Sequence, residues 1–289
     1  SVLTKTDLSG IRGSDILNKF ILFIPGSSLL MRACLLLAVF QISKSALSIV
    51  FEAYNGRVAS EIMYSIRNKM MNRYLSSRYE YFLENKLAEL IYFAHNAPDK
   101  PAVSITFMLS GFVEFIKAAV ILFTLFIVSW KITIGVLLVG LIFVKINSHY
   151  ASKISYNSGQ ERIGSSNRSL TAIQEFITGI KQVKVFNVQK KWANDYNTAN
   201  KTFSYYFKTD AYWLAVSSKA FELFVLGGCM LFLAFVEMIR PNFLQQNFPL
   251  ISIFIFGLMR AAPSISSVAR SNMNIMSRLP DTEKIYNIL

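Results

Sequence analysis

Cysteine is nearly absent. Only Cys34 and Cys229 occur in 289 residues, both inside apolar runs, so the chain has no disulfide framework and no thiolate spacing suited to a metal. Histidine is equally scarce, and His95 and His149 have no ligand-type neighbours in sequence. No G-x-x-x-x-G-K-[ST] phosphate loop occurs, which excludes nucleotide binding by that device. No Ser/His/Asp or Cys/His arrangement emerges, so no catalytic, cofactor-binding or metal-ligating residue is assigned. Charge is short as well as lopsided: 16% of residues are charged, with 30 Lys+Arg against 17 Asp+Glu.

What is abundant is apolar surface. At 53% hydrophobic residues and a mean hydropathy of +0.39, the chain is too apolar for an ordinary soluble domain of this length. A hydrocarbon core about 30 Å thick needs roughly 20 apolar residues per helix. Five candidate spans fit, near residues 27–51, 104–128, 132–147, 212–236 and 248–265. The third is short when counted from Lys131 but continues into an amphipathic stretch. From Ala102 to Phe143 only Glu114, Lys117 and Lys131 carry charge.

The basic residues lie elsewhere. Residues 52–100 hold seven Lys/Arg and residues 145–208 hold ten, while the link Ser129-Trp130-Lys131 has one and the link 237–247 only Arg240. The positive-inside rule places both long stretches in the cytoplasm and both short links outside. The charge of +13 is thus a topology signal, and nucleic acid is not expected as a partner.

The fold class expected is an all-α membrane protein whose spans run on into the cytoplasm. From Leu29 to Leu75 there is no proline and Gly56 is the sole glycine. Ile62, Ile66, Met70 and Tyr74 recur at helical spacing, with charges on the other faces. About 50 residues at 1.5 Å each make a helix of roughly 75 Å, over twice the hydrocarbon thickness. A second hairpin rises from 145 onward, so cytoplasmic hairpins are expected at 52–103 and 148–211. Their tips fall near 79–87 and 179–186. The tips either contact something below them or pack together as a cap. Residues 1–26 form an extracytoplasmic segment, in which the apolar run Ile16–Ile24 is an interfacial helix or a packed loop. An odd number of spans and a start at Ser1 raise the expectation of a further span upstream.

Charges at membrane depth call for partners or roles. Glu114–Lys117 and Lys219–Glu222 are each three residues apart and can neutralise one another. Lys44 and Arg260 have no such local partner. Facing a water-filled cavity, they would attract an anionic head group, whereas Arg32 suits snorkelling better. The candidate substrate path is therefore Lys44, Lys117, Lys219 and Arg260. Tyr205, Tyr206, Phe207, Tyr212 and Trp213 read as an interfacial belt.

Three stretches carry a family likeness. They are Tyr81-Phe82-Leu83-Glu84 followed by Leu87-Ala88-Glu89-Leu90; Gln174-Glu175-Phe176 with Gly179-Ile180-Lys181-Gln182-Val183-Lys184-Val185-Phe186; and the end, Leu279–Leu289. Together they resemble the membrane domain of an ATP-binding-cassette exporter, with Ala88 where that family's "GEL" segment has glycine. The resemblance implies six long helices per subunit, the first lacking here, and a second membrane domain, most simply in a homodimer. It also implies a nucleotide-binding ATPase domain, absent from this chain, that carries ATP and Mg and makes the whole subunit an ATP-hydrolysing translocase. A multi-pass position in a bacterial cytoplasmic membrane follows from the same likeness.

In such exporters the hairpin tips couple the ATPase to the membrane. That role falls here on Tyr81, Phe82 and Glu84 at the first tip, and on Glu175, Gly179, Lys181, Val183, Lys184 and Phe186 at the second. Gly179 would permit the bend, Val183 and Phe186 would be apolar anchors, and Lys181 and Lys184 would meet acidic rims. Arg260-Ala-Ala-Pro263-Ser264 resembles a stretch of exporters that flip lipid-linked oligosaccharides or export polysaccharides. The alternatives are a multidrug or peptide exporter of the same fold, or a non-transporting membrane regulator. A secondary transporter is disfavoured by the mostly uninterrupted spans.

Overall fold

In the computed structural model the described residues are 29–241 and 248–289, and all their regular structure is helical. In chain order these are α1 (Leu29–Ser76), α2 (Tyr79–Glu84), α3 (Leu87–Ile91), a π-helical turn (Tyr92–Asn96), α4 (Asp99–Val128) and α5 (Trp130–Thr178). There follow α6 (Ile180–Val185), α7 (Gln189–Glu222), a second π turn (Leu223–Gly227), α8 (Gly228–Ile239) and α9 (Phe248–Ile288). The expected outer segment 1–26 and most of the 237–247 link lie outside the described residues, as does the side chain of Arg32.

The chain divides into two units, residues 1–57 and 58–289. The described part of the first is the N-terminal portion of α1, where Lys44 is exposed. In the second, α9 packs most extensively on α4 and then α5, and α5 lies along α7.

Four helical stretches, Cys34–Ser76, Leu87–Val128, Gln189–Ile239 and Ile251–Ile288, are long and apolar enough to cross a membrane. The span expected at 132–147 corresponds to a shorter apolar stretch, Thr133–Ile142, within α5. Its apolar run is brief because Lys131 and Lys145 bracket it, and the helix simply continues into polar sequence. A single extended residue, Ser129 (φ −157°, ψ 104°), separates α4 from α5. Its carbonyl accepts both the backbone N–H and the hydroxyl of Thr133, at 3.2 and 2.8 Å.

Helix contacts are built from small residues, as expected where lipid supplies no hydrophobic drive between spans. Ser217, Ser264, Ser266, Ser271 and Ser277 are all buried. A Cβ on Gly159 would collide with the carbonyl oxygen of Ser277, so glycine there sets how closely α5 and α9 cross. Pro263 and Pro280 both sit inside α9, which runs through them to Ile288. The terminal stretch 279–289, one of the three that carry the family likeness, is thus helical for nearly all its length. Ile285 is buried in a core with Met70, Tyr74, Leu90, Phe93 and Ile163. That core braces the base of α1 against the end of α9, where Arg73 Nε donates to the Ile288 carbonyl at 3.2 Å.

Candidate functional site

The first tip is an aromatic knot. Its chain breaks at Ser77–Arg78 and again at Asn85–Lys86, leaving the six-residue α2 between. Tyr81 is half-buried with its ring 6.2 Å from that of Tyr74, and Phe82 stands edge-on to both. Tyr74 donates to the Leu90 carbonyl at 3.2 Å. Burial, then the neighbouring Tyr81 and Glu89, push its phenol up to about 12. Glu84 and Leu83 face outward.

The second tip corrects two expectations. Gly179 has φ −96°, outside the left-handed region, so the bend does not depend on glycine's special backbone freedom. Its N–H closes the end of α5 on the Glu175 carbonyl at 2.9 Å. The left-handed residue is Asn187 (φ 54°), where the chain leaves α6, and asparagine tolerates that conformation well. Val183, expected as an outward anchor, is only 3% exposed and holds α6 against its own chain. Val185 and Phe186, 71% and 72% exposed, are the apolar side chains offered outward, flanked by exposed Lys181 and Lys184. Glu175 shares a surface cavity of about 380 Å³ with Lys86 and Glu89, so the structure brings the two hairpins together at this level.

Two cations of the candidate path are paired along their own helices. Lys117 Nζ lies 2.6 Å from Glu114, and Lys219 Nζ 3.0 Å from Glu222, so both are neutralised along their own helices. Lys44 belongs to the first unit. Arg260 borders a cavity of about 430 Å³ whose other lining residues, among them Leu125, Phe256 and Gly257, are uncharged.

Two cavities were not foreseen. One, about 530 Å³, lies among the apolar parts of α4, α5, α7 and α9 and carries no charged side chain. Phe221, Val225, Leu258 and Ala262 pack together as its buried wall. The small residues Ala118, Gly140 and Ala261 are the sequence signal that could have located it. The other, about 490 Å³, is polar and draws Arg67, Tyr92, Asp99, Arg162, Arg278 and Asp281 from across the chain. Tyr92 heads the first π turn, whose wider i→i−5 bond, Ala97 N–H to Tyr92 carbonyl at 2.9 Å, turns this segment toward the cavity. Of the aromatic residues read as an interfacial belt, Phe207 lines this polar cavity instead.

A network ties the helices around the polar cavity. Asp210 accepts from the hydroxyls of Ser155 and Ser277, each at 2.8 Å, and lies 3.5 Å from Arg162. Arg162 also donates to the Ser277 hydroxyl and, at 3.3 Å, to its carbonyl. These groups lie outside the five apolar spans expected from the sequence. Tyr92 donates to Asp281 at 2.8 Å. Burial raises the Asp281 carboxyl above its ordinary value, against the pull of that bond and of Lys100. Burial and the charge of Arg162 lower Arg278, whose guanidinium sits 5.0 Å over the Phe107 ring.

Among the described residues no group of three His, Cys, Asp or Glu side chains could hold a metal ion. The family described as ABC transporter transmembrane region matches the chain over residues 14–260. No curated protein matches it.

Proposed function

Because this chain belongs to the ABC transporter transmembrane region family, we propose that it is the membrane half of an ATP-driven exporter moving an amphipathic, lipid-linked anionic cargo by alternating access. The coarser part needs no proposal. It is the transmembrane part of an ABC transporter and a multi-pass integral membrane protein, and ATP chemistry belongs to a partner ATPase domain. The exporter direction, the cargo, a homodimeric arrangement and a bacterial cytoplasmic membrane are this reading's own additions.

One observation carries it. The second tip sits at the end of a single 49-residue helix, α5, about 73 Å long at 1.5 Å per residue. A helix of that length transmits a displacement of α6 past a hydrocarbon core about 30 Å thick. The exposed Val185 and Phe186 then seat in the ATPase domain, and nucleotide-driven closure moves the lever between two packings. Cargo chemistry is supported by Arg260, a cation of the last apolar stretch beside an otherwise uncharged cavity. A guanidinium in that setting prefers a phosphate or pyrophosphate.

The test is Phe186→Asp in the complete transporter. Loss of a buried aromatic anchor costs about 2 kcal/mol or more, weakening docking over tenfold. Insertion should be normal, ATP hydrolysis should lose its stimulation by cargo, and transport should fall. Wild-type transport by this variant would refute the coupling assignment. The uncharged 530 Å³ cavity favours the runner-up, an exporter of neutral drugs or peptides. Arg260→Ala separates the two: it impairs anionic lipid-linked cargo and leaves a neutral drug unaffected.

A further inference from the structure

The polar cavity has a deficit that the exporter reading does not use. Six buried side-chain polar atoms among the described residues have no hydrogen-bond partner within the protein, and three of them, Arg67 Nε, Arg162 Nε and Asp99 Oδ1, belong to residues lining this cavity. Native proteins rarely leave such groups unpaired, and each instance asks for an occupant. Here the deficit is two donors and one acceptor.

Charge narrows the occupant. The lining holds Arg67, Lys100, Arg162 and Arg278 against Asp99 and Asp281. Even with Asp210 beside Arg162 at 3.5 Å, cations outnumber carboxylates four to three. Water alone would satisfy the unpaired atoms but leave the excess positive charge uncompensated. An anion does both. Arg67 already spends one N–H on the His95 carbonyl at 2.8 Å, which orients its guanidinium at the cavity wall. Phe203 and Phe207 give the cavity an apolar part, their stacked rings 6.3 Å apart and 16° from parallel.

We propose that this cavity binds a hydroxyl-bearing phosphate ester, with Arg67 and Arg162 holding phosphate oxygens, Asp99 accepting from a hydroxyl, and the Phe203–Phe207 wall packing on the carbon skeleton. The site is separate from the groove at Arg260 and does not depend on the exporter reading. Its volume, about 490 Å³, suits a ligand of that size. Occupancy would tie the start of α4 to α5 and α9, the elements that carry force between tip and span. The ester comes either free from the cytosol or as the head group of a phospholipid.

The experiment uses the complete transporter, with its ATPase domain, in phosphatidylcholine nanodiscs. Equilibrium dialysis measures labelled inositol monophosphate against inorganic phosphate and unphosphorylated inositol. Saturable binding of the ester, tighter than either fragment, is expected. Arg67→Gln should weaken it on the order of tenfold or more, the loss of one charge-assisted bond. Asp99→Asn should weaken the ester but not inorganic phosphate. Gly164→Ala, at a position with nothing near its Cβ, serves as the unperturbed control. Adding phosphatidylinositol to the discs assigns the source: competition identifies the lipid head group, and no competition identifies the soluble ester. The proposal is overturned by no saturable binding, by equal affinity for inorganic phosphate and ester, or by wild-type affinity in an Arg67→Gln protein of unchanged melting temperature.

Discussion

Gly159 and Gly164 lie five positions apart on α5 and have opposite obligations. At Gly159 a side chain would run into the Ser277 backbone, which cannot rotate away. At Gly164 a Cβ meets nothing within 4 Å. Gly159→Val should therefore destabilise the domain by about 1–3 kcal/mol through overpacking, read as a lower melting midpoint in detergent. Gly164→Ala should leave that midpoint unchanged or raise it, since helix-interior glycine costs about 0.5–1 kcal/mol relative to alanine. Equal effects would mean that α5 and α9 do not cross where Ser277 sits. Val183 and Phe186 make a similar pair: three positions apart in the α6 segment, one is turned inward and the other outward.

Elements in this molecule end where local chemistry stops them, and those stops coincide with the hairpin tips proposed to meet the ATPase. The N–H of Gly179 closes α5, and α6 begins at once. Gly179→Pro removes that 2.9 Å bond and drives Thr178 out of the helical region, loosening the joint between lever and tip. ATP hydrolysis should persist while transport per ATP falls towards background, measured in proteoliposomes. Gly179→Ala should be far milder, because φ there is ordinary and the nearest obstacle is the Glu175 carbonyl at 3.1 Å. The two π turns make the same point. One presents Tyr92 to the polar cavity and the other presents Val225 to the apolar one.

On the scale of the whole molecule, the topology proposed above puts the two hairpin tips on one side of the membrane and the Arg240 link on the other. In a Cys34→Ser, Cys229→Ser background, single cysteines replacing Leu83 and Val185 should react with an impermeant maleimide only from the cytoplasmic side. A cysteine replacing Arg240 should react only from outside. Labelling of Leu83 and Arg240 positions from the same face would break the topology on which the proposed force transmission rests.

Much of this architecture was readable in the residue order. The apolar runs, the proline-free extensions and the breaks near 79–87 and 179–186 are local properties, set by propensity, spacing and charge, and they needed no knowledge of neighbours. The i,i+3 pairs Glu114–Lys117 and Lys219–Glu222 were legible for the same reason, since helix geometry alone brings them together. Membership in the ABC transmembrane family likewise follows from sequence. The polar cavity did not. Asp99, Arg162 and Asp281 lie on three separate stretches that become neighbours only where α9 packs against α4 and α5, and Arg67 joins them from α1. Nor could spacing tell that Val183 faces inward, because a six-residue helix has no periodicity long enough to declare a buried face. Helices, spans and breaks are one-dimensional facts. Which side chains meet across them depends on crossings such as Gly159 against Ser277, and those exist only once the helices are packed.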